Sequence, residues 1–217
     1  MQKIALIVAG GTGSRMNSTI PKQFLLLKGT PILMHTLKQF SHFDEIVLVL
    51  PKSQFNYWGE LISKYGFNIN HSLVAGGKTR FHSVKNGLAK IEKYNTVTAI
   101  HDGVRPMIST TLINNLVAET KAGIGVIPII PVKNSIRKIE RGNSVHIDRS
   151  NLYKVQTPQS YLSADIKNAY TQEFSELFTD DASVFEANGG KIKTILGDEK
   201  NLKITTQEDM KFAEVLI

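Results

Sequence analysis

The chain has 217 residues, 41% of them apolar and 21% charged, with no cysteine and a net charge of +7 from 26 basic and 19 acidic side chains. That length suits one domain on one core, and the composition excludes a disordered or fibrous chain. The missing thiols exclude disulfides, zinc–thiolate sites, iron–sulfur clusters and cysteine catalysis, as fits a cytoplasmic protein. The positive balance predicts an anionic partner, whether nucleic acid, a membrane surface or a phosphorylated small molecule, and the scattered Lys and Arg with only 8% aromatics count against nucleic acid.

In chain order, MQKIALIVAGG carries one lysine and an apolar stretch of about six residues, short of a signal peptide's seven to fifteen, and reads as a strand. It runs into the glycine loop AGGTGSRM, Ala9 to Met16. PILMHTLKQF follows as a helix, with Thr30 and Pro31 at its cap and first turn. EIVLVLP, Glu45 to Pro51, lacks polar alternation, as expected of a strand buried on both faces. SQFNYWGELISKYG reads as a helix with Ser53 as cap and Gly66 as stop. NHSLVAGG leads into RFHSVKNGLAKIEK, where Phe81, Val84, Leu88 and Ile91 recur at helical spacing. TAIHDGVRP is a strand entering a loop, STTLINNLVAETKAG a capped helix, and GVIPIIP another buried strand.

This βαβ order predicts a three-layer α/β/α, Rossmann-like domain with a mainly parallel sheet and its ligands beyond the carboxyl ends of the strands. From Val132 to Tyr153 apolar and polar residues alternate around Arg141-Gly142-Asn143, which predicts a two-stranded arm. Such a hairpin is marginal alone in water and is expected to pack on a second copy of the chain. The remainder returns to helical patterns and closes on TTQEDMKFAEVLI, where Thr205 and Glu208 suit a capping box. Nothing approaches the roughly twenty apolar residues of a membrane span.

The chemistry is expected at the strand exits. Gly10, Gly11 and Gly13 let backbone N–H groups approach an anion closely. The loop is neither the dinucleotide fingerprint, since Met16 stands where a third glycine is needed, nor a Walker loop. A tight turn without a ligand is the alternative reading of the glycines alone. Arg15 and Lys22 shift the balance, because two cations beside free N–H groups repel each other unless a polyphosphate pairs them.

In AGGKTRFHS, Ala75 to Ser83, a second glycine turn with Arg80 and Ser83 at a helix entrance either reads the polar edge of a base or is a cap with a surface arginine. In HDGVRP, Asp102 stands ready for a divalent cation or a ligand hydroxyl and Arg105 for a phosphate; a local Asp–Arg pair is the alternative. Asp180 and Asp181 precede a helix, where N-capping is the default reading. The histidines lack metal-ligand spacing, and Lys203 in the strand-like NLKIT reads by itself as a surface lysine.

Taken in order, AGGTGSRM…PKQF, GGKTRFHSV, HDGVRP, PVKNS, DRSNLY…QTPQ, TDDAS and NLKIT resemble, over nearly the whole chain, the 2-C-methyl-D-erythritol 4-phosphate cytidylyltransferase family. The resemblance implies a nucleotidyltransferase fold and Mg²⁺-dependent transfer of CMP from CTP to a phosphorylated polyol, with release of pyrophosphate. Ala9, Gly10, Gly11 and Gly13 would cradle the triphosphate. Gly77, Lys78 and Ser83 match the positions that read cytosine, with Arg80 beside them also in the CTP site, and Asp102 is the candidate metal ligand. Arg15 and Lys22 match the cations at the α-phosphate. Asp102, Arg105, Ser135, Arg149, Thr179 and Lys203 match the second-substrate pocket, with Arg149 and Lys203 aiming the incoming phosphate. The resemblance also implies a homodimer through the arm, in which Arg149 serves a neighbouring site.

This chain has Asn134-Ser135 where the family usually shows an Asp-Thr pair, and Gly103-Val104 where it shows an Ala pair. D-ribitol-5-phosphate cytidylyltransferases share the same loops and form the competing expectation, since a methyl branch is worth only about 1–3 kcal/mol in a pocket. A basic nucleic-acid binder lacks its expected signals, having no basic helix, aromatic recognition motif or zinc framework.

Overall fold

The computed structural model describes residues 1–10 and 20–217. The elements are β1 (Gln2–Val8), β2 (Leu26–Leu27), β3 (Thr30–Pro31), α1 (Ile32–Gln39), β4 (Glu45–Leu50), α2 (Phe55–Tyr65), β5 (Ser72–Ala75), α3 (Arg80–Lys90), β6 (Thr96–Asp102) and α4 (Thr110–Glu119). They continue with β7 (Ile124–Pro131), β8 (Ile136–Glu140), β9 (Asn143–Ile147), β10 (Tyr153–Val155), β11 (Gln159–Leu162), α5 (Ser163–Ala169), α6 (Asp181–Ala187), β12 (Lys191–Leu196) and α7 (Gln207–Leu216).

The main sheet runs β10-β7-β11-β6-β1-β4-β5, with β12 also on β7. β1, β4, β5 and β6 are mutually parallel, β12 is parallel to β7, and β10 and β11 run antiparallel to their neighbours. Strict alternation along the central strands feeds both faces. Ala5, Ile7, Ile46, Leu48 and Leu50 join α1, α2 and α4 in one apolar layer, while Ile4, Leu6, Val8, Val47 and Val49 join α3, α5 and α6 in the other. This is the three-layer arrangement expected from the continuous apolar runs, with the core divided by the sheet. A third, smaller cluster of Leu27, Ile32, Val104, Ile204 and Ala213 ties the turn after Pro21, the exit of β6 and α7 together.

Register decides where the site lies. Val8 pairs with Val49 on one side and Asp102 on the other, and Leu50 pairs with Ala75. Backbone bonds carry the ladder past the strand ends, with Ala9 N donating to Val49 O at 2.9 Å, Gly76 N to Leu50 O at 2.8 Å and Gly103 N to Val8 O at 2.9 Å. The exits of β1, β4, β5 and β6 therefore stand in one row.

Several local expectations shift. A 3₁₀ turn over Lys52–Gln54 precedes α2, so Gln54 rather than Ser53 is its N-cap, while Gly66 closes it in the left-handed conformation. Pro31 is the N-cap of α1, and no side chain caps it. The last capping box is Thr206 with Asp209, one residue later than expected. The segment after Tyr153 contributes strands β10, β11 and β12 as well as helices, and NLKIT is irregular rather than extended. The arm forms as expected: β8 and β9 pair antiparallel in a sheet of their own, turning on Arg141 and Gly142 with φ of 48° and 82°.

Candidate active site

At the carboxyl ends of β1, β5 and β6 lies a cavity of about 390 Å³ lined by Val8, Ala9, Gly10, Lys22, Gln23, Gly77, Lys78, Thr79, Arg80, Ser83, Asp102, Val104 and Lys203. A second cavity of about 280 Å³ is lined by Arg80, Asp102, Arg105, Val155, Gln156, Thr157, Gln159, Thr179, Asp180 and Lys203. Arg80, Asp102 and Lys203 line both and form the wall between them.

The first cavity gathers the residues expected to meet a nucleotide. Lys22 is buried in a 3₁₀ turn over Lys22–Phe24. Gln23 beside it donates from Nε2 to Ala9 O at 3.0 Å and Gln54 Oε1 at 2.7 Å, tying this turn to the exit of β1. Thr79 caps α3, and Gly77 N donates to Ser83 Oγ at 3.0 Å, so the second glycine turn is braced by the helix it opens. Gly103 packs closely on the exit of β1, where a Cβ would meet Ala9 Cβ at 2.8 Å. Gly11, Gly13 and Arg15 lie outside the described residues.

Asp102 is the electrostatic centre of the shared wall. Its Oδ2 lies 3.0 Å from Lys203 Nζ and 3.2 Å from Arg105 Nε, and its Oδ1 lies 3.7 Å from Arg80 Nε. Burial alone would raise this carboxyl, but Arg80, Lys203 and Arg105 outweigh it and hold Asp102 well below the usual carboxylate range. The local Asp–Arg pair is therefore present, within a larger cluster that faces both cavities.

Buried polar contacts fix that cluster. Asp102 N donates to Thr157 Oγ1 at 3.1 Å, Thr157 Oγ1 meets His101 Nδ1 at 3.0 Å, and His101 Nε2 meets Arg105 O at 3.1 Å. A carbonyl only accepts, which makes Nε2 the protonated nitrogen and Thr157 the donor to Nδ1. Arg105 Nη1 donates to Asn201 O at 2.8 Å, Asn201 Nδ2 to Thr157 O at 2.8 Å, and Ile204 N to Val104 O at 3.0 Å. Lys203 is thereby positioned in an irregular segment without help from a strand.

Arg80 departs from a plain nucleotide ligand. Its Nη1 and Nη2 donate to the two oxygens of buried Asp181 at 2.7 and 2.6 Å. Asp180 caps α6, with Ser183 completing a capping box, while Asp181, the first residue of that helix, faces inward. Thr179 is exposed and lines the second cavity. Ser135 and Arg149 sit together on the arm, Arg149 Nη1 being 3.4 Å from Ser135 Oγ, both exposed and lining neither cavity. Gln23, His101, Thr157, Asn201 and the inward role of Asp181 had no local sequence signal, because each acts through a partner distant along the chain.

Among the described residues this site offers Lys22, Lys78, Arg80, Arg105 and Lys203 around two adjoining cavities, which suits a polyphosphate and a second anion meeting across one wall. With its α/β sheet, that is the organisation of a nucleotidyltransferase. A family model described as IspD, 2-C-methyl-D-erythritol 4-phosphate cytidylyltransferase, matches residues 3–217, and the chain belongs to this family. The protein of that name from Azobacteroides pseudotrichonymphae is 49% identical over 222 residues, covering 100% of this chain and 99% of the relative. Its counterpart in Bacteroides fragilis is 47% identical over 220 residues, with both chains fully covered. The crystal structure of Francisella tularensis 2-C-methyl-D-erythritol 4-phosphate cytidylyltransferase superposes with a TM-score of 0.83 at 28% identity, covering 100% of each chain.

Proposed function

We propose that the first cavity holds CTP, the second holds 2-C-methyl-D-erythritol 4-phosphate, and the protein joins them. A phosphate oxygen of the polyol phosphate attacks the α-phosphorus of CTP. The new P–O bond forms as the bond between the α-phosphorus and the β-phosphate oxygen breaks, and pyrophosphate leaves. The observation that carries this reading is the wall of Arg80, Asp102 and Lys203 shared by the two cavities. The names of the relatives favour methylerythritol phosphate over ribitol 5-phosphate.

In this reading Ala9, Gly10, Gly77, Lys78 and Ser83 meet the nucleotide, with Gly11 and Gly13 completing the triphosphate cradle. Arg15 and Lys22 stabilise charge at the α-phosphorus. Asp102, Arg105 and Thr179 hold the polyol phosphate, and Lys203 aims its phosphate. A phosphate monoester has a second pKa of about 6, so it enters largely as a dianion and needs no protein base. What the chain supplies is alignment and cationic stabilisation of two anions that repel each other.

A divalent cation would neutralise triphosphate charge. The described residues include no cluster of three His, Asp or Glu side chains. Asp102 is the one carboxylate lining the first cavity, and it already faces three cations. With that donor set Mg²⁺ would be held mainly by phosphate oxygens and water, and Asp102 would be its candidate protein ligand among the described residues.

We further propose a homodimer in which the arm carries Ser135 and Arg149 to the other copy's second cavity. Its support is the separate two-stranded sheet, with Ile139 66% and Val145 53% exposed, and Tyr153 on the edge strand β10 50% exposed.

The test is pyrophosphate release from CTP and Mg²⁺ with 2-C-methyl-D-erythritol 4-phosphate and D-ribitol 5-phosphate in parallel. Turnover with the first polyol and little with the second is expected. Turnover with ribitol 5-phosphate alone overturns the substrate assignment, and none with either overturns cytidylyl transfer itself.

A further inference from the structure

Arg80 lines both cavities, yet most of its hydrogen bonding is spent behind the wall. The two Nη groups grip Asp181, which has no solvent exposure, and Tyr170 Oη donates to Asp181 Oδ1 at 2.6 Å. Only Nε is turned toward Asp102, at 3.7 Å from Oδ1. The opposite oxygen of Asp102 holds Lys203 and Arg105. Asp181 is itself held in place, because Gln159 on β11 accepts from Ala182 N at 2.8 Å and donates to Asp180 Oδ2 at 2.8 Å.

A buried ion pair is weak support for stability, since desolvating both charges offsets most of their attraction and an apolar pair would often do as well. What such a pair does well is hold a planar, forked cation in one orientation. Here that orientation points Nε at the carboxylate on which Lys203 depends. A lysine or an apolar residue at position 80 would not reproduce both contacts.

We propose that Tyr170, Asp181 and Arg80 form a clamp that fixes Asp102, and through it Lys203, at the boundary between the two cavities. Asp181 and Arg80 are then positioning residues for the phosphate of the second substrate rather than nucleotide ligands. This rests on the assignment of CTP to the first cavity and the polyol phosphate to the second.

The experiment compares wild type with Asp181→Asn, Arg80→Lys and Tyr170→Phe. Steady-state kinetics are run with each substrate varied in turn, CTP affinity is measured directly by calorimetry, and folding is checked by thermal melts. We expect kcat/KM for the polyol phosphate to fall about 10- to 100-fold in Asp181→Asn and Arg80→Lys, as displacement of an aligned group by about an ångström does. The CTP dissociation constant should move less than about threefold, since no nucleotide contact is lost, and Tyr170→Phe should show the same asymmetry at smaller size.

Arg80→Lys keeps a charge against Asp181, so it remains informative if Asp181→Asn does not fold. A parallel loss of CTP affinity would make Arg80 a nucleotide ligand and overturn the clamp. So would folded variants with wild-type kinetics, or failure of all three variants to fold, which would make the group structural. An inactive wild type would instead count against the substrate assignment, so the two failures are distinguishable.

Discussion

His101 is fully buried next to Asp102, and that burial, more than the nearby charges, pushes its pKa down to about 4 from the ordinary 6.5. Between those values the unfolded chain binds a proton that the folded chain refuses, so stability is complete above about pH 6.5 and falls as pH drops toward 4, by about 3 kcal/mol. Asp102, held low by its cations, adds its own loss only at still lower pH. Urea unfolding of wild type and His101→Gln between pH 7 and 4 should show the variant less stable at pH 7 but with a shallower decline. At the reactive end of the same site, Lys22→Ala is expected to lower kcat about 100-fold with a much smaller change in CTP affinity, because the lysine's charge matters most as the α-phosphorus becomes pentacoordinate. A plain binding lysine would raise KM and spare kcat. Lys22, Asp102 and Arg105 were legible in the sequence because cations and an acid beside strand-exit loops have few uses in packing, whereas Lys203 by itself read as a surface lysine and was singled out only by the family resemblance. His101 and Asp181 were not, since a buried histidine beside a strand end and an aspartate at a helix start both have ordinary readings; only the fold brings Arg80 to a partner 101 residues away.

Elements that bury two faces announced themselves through uninterrupted apolar runs, as in β1 and β4, and α3 through its spacing of Phe81, Val84 and Leu88. β11 did not: it is four residues long, and Gln159 and Ser160 are buried through partners on α6 and at the C-cap of α4 that no local pattern reveals. The capping box at α7 was displaced by one residue because Asp209 accepts from the backbone of both Thr205 and Thr206, so either threonine fits the local pattern. α3 carries the most consequential packing constraint. A Cβ on Gly87 would lie 2.4 Å from Leu6 Cδ1 and 2.8 Å from Val49 Cγ2, so only glycine lets this helix settle on β1 and β4. Gly87→Ala should push α3 outward and cost about 1–3 kcal/mol of stability. Because Ser83 braces Gly77 from the same helix, the variant should also bind CTP more weakly. Denaturant midpoints together with calorimetric CTP titration test both effects, and weaker binding at unchanged stability would separate the loop from the helix.

On the scale of the whole molecule, the two cavities and the arm pose a geometric problem. Lys22, Asp102 and Lys203 converge in one chain, whereas Ser135 and Arg149 lie on a hairpin whose two-stranded sheet pairs with nothing else among the described residues. A net charge of +7 opposes association of two copies in general, so a dimer must gather its stability locally, and the exposed Ile139, Val145 and Tyr153 supply apolar area for that. If a two-fold pair exchanges arms, each site is assembled from Lys22 of one copy and Arg149 of the other, and every contact is made twice. Complementation decides the matter. Lys22→Ala and Arg149→Ala homodimers should each be nearly inactive, but unfolding and refolding an equimolar mixture should yield mixed dimers in which one of the two sites is intact. Random pairing then restores about a quarter of wild-type turnover. A mixture no more active than its components would mean that Arg149 serves its own chain or none, and the arm would lose its catalytic role.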